Sequence, residues 1–219
     1  MNAKRRSLID KFSKARLTPI QGDSFQSDQS YHSVVVRDAD LSQSQNSDVV
    51  IEHSHFDKVD ISGGSWTAAD LTEILFSGCT LSNLDCCEAR FTNNEFHRAR
   101  ATGLSFSDGR LRNVLFSGCK LDLSIFQDAQ LANCRFEDCD LREADFQRAS
   151  LKQVVFRDCD LRNARFVGSS LESLDLRGSH VAGIQIDAEE LRGTIVDPHQ
   201  IADFAPLLGV VVEATPARN

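Results

Sequence analysis

Every fifth residue of this chain is apolar, and the frame holds without a slip from Tyr31 to Val196, with Asn46 its single polar occupant. Between Phe116 and Phe166 it alternates strictly: Phe116, Leu121, Phe126, Leu131, Phe136, Leu141, Phe146, Leu151, Phe156, Leu161, Phe166. A second, smaller set sits two residues earlier in each unit, as at Val114, Cys119, Ser124, Ala129, Cys134 and Cys139. A period of five matches neither the 3.6 of an α-helix nor the 2 of a strand, so neither element buries this pattern. A coil with one flat side per five residues does.

The alternation fixes the number of sides. Three sides would stack Phe on Leu, whereas four stack residues 20 apart, like on like: Phe116 on Phe136 on Phe156, and Cys119 on Cys139 on Cys159. At the spacing of neighbouring strands, about 4.8 Å, some eight coils make a rod on the order of 40 Å long with a dry interior. Composition agrees, for 14 Phe against a single Trp, Tyr and Met is one slot filled repeatedly. All four prolines lie outside residues 20–197, so nothing there interrupts a hydrogen-bond ladder.

The stretch CDLREADFQRASLKQVVFRDCDLRNARF resembles the A(D/N)LXX signature of the pentapeptide-repeat family, and the resemblance covers residues 31–196. It implies an all-β fold, a right-handed quadrilateral β-helix. The best understood members are rod-shaped dimers resembling B-form DNA that bind type II topoisomerases and protect them from quinolones or toxins. Qnr-type members interrupt their coils with loops; this frame has none, as in loop-free members that also bind gyrase.

The expected organisation is a basic N-terminal helix or cap over 1–20, a linker over 21–30, the β-helix over 31–196, and a cap and dimerisation segment over 197–219. Residues 1–20 carry six bases against Asp10, a net of +5, while the whole chain is −8. Leu8, Ile9, Phe12 and Ala15 suit one face of a short helix, read as a plug over the first coil; the alternative is a basic helix meeting a membrane surface or nucleic acid. At the other end Asp197 suits an N-cap and Pro198 a first helical residue. Ile201, Phe204, Leu207 and Leu208 form an apolar stripe, and Val210, Val211 and Val212 read as a terminal strand. Gyrase-interacting members join two rods through a C-terminal helix, so a homodimer through these seven residues is expected.

The chain has no secretory signal pattern and no long apolar run, which points to a cytoplasmic protein without a membrane partner. Seven cysteines, several in inward slots, read as free thiols rather than a disulfide framework. His53 and His55 fall in different slots of the frame, so neither a metal site nor a cofactor is expected. No nucleotide, zinc-protease or nucleophile-elbow motif occurs, which argues against an enzyme.

The surface divides by face, each named here for one central residue. The Phe106 face carries Asp48, Asp85, Glu88, Asp108, Asp128, Asp145 and Asp187 against Arg148 and Arg165, a net of −5. The Leu71 face balances five acids with five bases. Glu88, Asp108 and Asp128 share one slot on consecutive coils, where like charges repel. Asp48, Asp85, Glu88, Asp108, Asp128 and Asp145 are therefore the candidate partner-binding acids, imitating a nucleic-acid backbone for DNA gyrase or topoisomerase IV; the protein itself is not expected to bind nucleic acid. The alternatives are a scaffold for some other protein and a membrane-surface adaptor.

Overall fold

A computed structural model describes residues 7–13, 15–20 and 25–212. Each five-residue side ends in a corner two residues after its central apolar one, and there φ is positive: 60° at Glu88, 60° at Asn93, 52° at Arg98, 57° at Asp108. Gly, Asn and Asp tolerate this left-handed region best. Because the turn falls on the same residue of every unit, coils superimpose with a register of 20. Leu111 pairs with Leu131 and Phe116 with Phe136.

The result is a parallel β-solenoid of about eight turns. Two adjacent faces each carry an eight-stranded parallel sheet. The Phe56 face runs from Thr18–Pro19 to Val155–Arg157 and the Leu71 face from Ser30–His32 to Ser170–Glu172. On the Leu81 and Phe106 faces, coils pair through single bridges, such as Lys120 with Asp140 and Asp85 with Ser105.

The two inward residues of each unit are the buried ones, as the period requires. Phe76, Phe96, Phe116, Phe136 and Phe156 stack nearly parallel with ring centroids 4.6 to 4.8 Å apart. Phe126, Phe146 and Phe166 form a second ladder on the opposite face at 4.6 and 4.8 Å. The ladders meet edge to face across the axis, with Phe126 and Phe136 at 88°. Offset stacks and edge contacts are both favoured geometries for a ring quadrupole.

The small inward slot holds five of the seven cysteines, Cys79, Cys119, Cys134, Cys139 and Cys159. The thiols of Cys79, Cys119, Cys139 and Cys159 donate to the carbonyls of Phe56, Phe96, Phe116 and Phe136 at 3.4 to 3.5 Å. The aspartate of the repeat signature also has a backbone task. Placed before the central residue, it accepts the amide hydrogen two residues on, as Asp40 does from Ser42 at 2.9 Å and Asp60 from Ser62 at 2.9 Å.

The N-terminal helix does not plug the rod. Helix α1 (Leu8–Phe12) lies on the flank, where Leu8 and Phe12 pack with Leu75 and Phe12 stacks on His55 at 6.3 Å. Ile9, expected on the buried side, is exposed. A five-residue helix buries only one narrow stripe, and the rod's end is already closed by Phe25, whose ring lies 4.5 Å from Tyr31 and 5.6 Å from Phe56. The ladder also begins earlier than residue 31, at Thr18 opposite Val34. Of the N-terminal bases, Lys4, Arg5, Arg6 and Lys14 lie outside the described residues.

At the other end, Asp197 and Gln200 form a capping box ahead of helix α2 (Ile201–Phe204). Gln200 donates to the carbonyls of Leu176 and Ser179 at 2.8 and 2.7 Å, satisfying the last full coil. Phe204 closes the core behind it. Val210, Val211 and Val212 form no strand: α2 and its flanking turns occupy the end of the rod, and a strand needs a partner ladder.

Candidate protein-interaction surface

The six candidate acids fall into two structural kinds. Asp85 and Asp145 precede a central residue and accept the amides of Cys87 and Gln147, both at 3.0 Å. Asp145 is 3% exposed, bound by Gln127 at 2.6 Å and by Arg165 at 2.9 Å. It is a neutralised structural carboxylate and not a presented one, which corrects the expectation for that residue.

Asp48, Glu88, Asp108 and Asp128 occupy the left-handed corner between the Phe106 and Leu71 faces. All four are exposed, and on consecutive coils the last three lie about 4.8 Å apart along one edge. Asp128 is held by Arg148 of the next coil, with contacts of 2.9 and 2.6 Å, and that guanidinium keeps its carboxyl below the usual aspartate value. The two ion pairs cancel two acids and two bases of this face. The remaining charge is carried by Asp48, Asp85, Glu88, Asp108 and Asp187.

The corner geometry does not itself demand acids. On the same coils, the corner at the other side of the Leu71 face is Asn93, Asn113 and Asn133, with φ of 60°, 55° and 55°. Neutral asparagine meets the same backbone demand, so the carboxylates of Glu88, Asp108 and Asp128 are surplus to it.

The expected dimerisation residues also divide. Phe204 is buried and Leu207 packs on the core, so these two serve the rod's own cap. Ile201, Leu208, Val210, Val211 and Val212 are exposed. Inside the rod, a gap beside Trp66, Phe91 and Leu104 is lined by apolar core side chains and places no acid, base or hydroxyl. All seven cysteines are free thiols, and burial pushes Cys79 up to about 11 and Cys134 up to about 12. No helix among the described residues is long and apolar enough to cross a membrane.

A four-sided parallel solenoid with a sealed core and charge sorted by face defines a class of proteins that act through their surface. The chain belongs to the pentapeptide-repeat family: the family profile "Pentapeptide repeat region" matches residues 110–186 and "Pentapeptide repeats (8 copies)" matches residues 69–108. Among solved structures it is similar to HetL, a pentapeptide repeat protein involved in heterocyst differentiation regulation from the cyanobacterium Nostoc sp. strain PCC 7120. That match has 17% identity and a TM-score of 0.58, covering 86% of this chain and 92% of HetL. A trypsin-treated form of QnrB1, a plasmid-mediated fluoroquinolone resistance protein, matches with 20% identity and a TM-score of 0.41, covering 90% of this chain and 97% of that one. No curated protein matches the sequence.

Proposed function

We propose that this protein is a non-catalytic docking rod whose acidic edge imitates a nucleic-acid backbone, and that its partner is a type II topoisomerase, DNA gyrase or topoisomerase IV, in the cytoplasm. The observation that carries the reading is the exposed row Glu88, Asp108 and Asp128, set where Asn would satisfy the backbone equally well. Family resemblance supplies the partner class, because members shaped like B-form DNA bind these enzymes. Two rods joined through the exposed C-terminal residues would extend the charged edge.

The test is inhibition of gyrase supercoiling in competition with DNA. Inhibition by the unmodified protein should weaken with salt, whose screening length is about 10 Å at 0.1 M. Changing Glu88, Asp108 and Asp128 together to Lys should abolish it. The corners accept such residues, for Lys58 and Arg98 already occupy equivalent positions at φ 54° and 52°. Lys at Gln130, Ala132 and Gln153 on the Leu71 face serves as control. Equal loss from both triple variants, or no inhibition by the unmodified protein, leaves only a scaffold for another partner.

A further inference from the structure

Two imidazoles and a carboxylate from the first coils meet on the Leu71 face. His32 and Glu52 hold the same slot of adjacent strands and are register partners, and His53 is the corner residue beside Glu52. One nitrogen or oxygen from each lies within 4.8 Å of the others. His32 Nδ1 is 3.3 Å from Glu52 Oε2, and the two rings lie 4.9 Å apart. Ligands about 2.0 to 2.2 Å from a tetrahedral metal are separated by about 3.3 to 3.6 Å. The His32–Glu52 pair already has that spacing, and His53 offers a ring nitrogen within 4.8 Å of both.

Other features suit an ion. Glu52 has no lysine or arginine partner among the described residues, and its side chain and that of His32 are 47% and 63% exposed, so an ion enters directly from solvent. His53 Nε2 lies 3.2 Å from Glu73 Oε2, while its Nδ1 is buried without a hydrogen-bond partner. A carboxylate on one ring nitrogen is the usual device for fixing a ligating histidine. Two imidazoles select a borderline transition ion over calcium or magnesium, which take oxygen ligands.

We propose that His32, Glu52 and His53 bind a divalent first-row transition ion of the zinc class, with Glu73 orienting His53 and water completing the coordination. The ion would tie the first two coils together.

The experiment titrates the full-length protein, under reducing conditions, with Zn2+ against a chromophoric chelator and separately with Co2+. One ion per chain is expected, with ligand-field bands for Co2+ and no thiolate charge-transfer band. His32→Ala and His53→Ala should each bind at least about tenfold more weakly, and Glu73→Gln should lose less. His97→Ala and Cys87→Ser should bind as the parent does. Zn2+ should raise the melting temperature of the parent and not that of His32→Ala, since only a ligand of the folded state stabilises it. Melting of the ion-free variants at the parent temperature shows that they fold. Undiminished binding in both histidine variants, a thiolate band, or no binding by the parent overturns the assignment.

Discussion

Phe136 touches four other rings, stacked on Phe116 and Phe156 and edge-on to Phe126 and Phe146. Replacing it with Ala removes those contacts from a core that cannot collapse, because the ladder hydrogen bonds hold the coil open. Phe136→Ala should cost about 3 to 5 kcal/mol in denaturant unfolding; an unmoved transition would mean that Phe136 does not face the core. The thiols give a second residue-scale test. Burial raises Cys79, Cys86 and Cys134 well above the ordinary thiol range, so they remain protonated at neutral pH. Only Cys87 is partly exposed. Alkylation near neutral pH should label one cysteine per native chain and seven after denaturation without reductant; fewer than seven would reveal a disulfide.

Helix α1 is held to the rod by the burial of Leu8 and Phe12 against Leu75 and by a set of polar contacts. Glu95 accepts from the Leu8 amide at 2.9 Å and the Ser7 hydroxyl at 2.8 Å, and Lys11 pairs with Glu73. Burial alone would raise the Glu95 carboxyl, but hydrogen bonds from His97, Leu8 and Ser7 outweigh it and hold it below the usual glutamate value. A depressed folded-state pKa means that this attachment is complete above the ordinary glutamate range, about 4.3, and is lost as pH falls through the lowered value. Glu95→Gln should therefore speed amide exchange in α1 at neutral pH while leaving the rod's melting temperature nearly unchanged; equal protection in both proteins would refute the clasp. None of this is legible in the five-residue period, which reports only what points inward. His55, Leu75 and Glu95 face outward from one slot on three consecutive coils, and only their joint use by α1 makes them a docking surface. The coil frame, its corners and its buried slots were legible because each is dictated by local sequence. The burial of Asp145 was not, because Gln127 and Arg165 come from neighbouring coils. The His32, Glu52 and His53 cluster was half legible: the register of 20 pairs His32 with Glu52, whereas His53 joins them only through the left-handed turn of its corner.

Across the whole rod, function depends on which charges and apolar groups remain unpaired once the coils have stacked. Arg148 masks Asp128 at one end of the acidic row. If that row binds a basic groove, Arg148→Ala should strengthen inhibition of supercoiling, opposite in sign to the triple Lys variant, and an unchanged inhibitory concentration would remove Asp128 from the contact. The apolar balance is struck at the C-terminal end. Phe204, 5% exposed, turns into the core, whereas Ile201 at 57%, Leu208 at 65% and Val211 at 79% face solvent in one short segment. Such a cluster on a charged rod suits a contact surface, and a second copy related by a twofold axis would present the complementary apolar cluster. Light scattering should find the unmodified protein to be a dimer. Combining Ile201→Asp with Val211→Asp should give a monomer of unchanged melting temperature, because neither side chain supports the core. Phe204→Ala should instead lower the melting temperature by opening the cap. A monomeric parent protein, or a double variant that remains dimeric, would show that the exposed cluster does not join the rods.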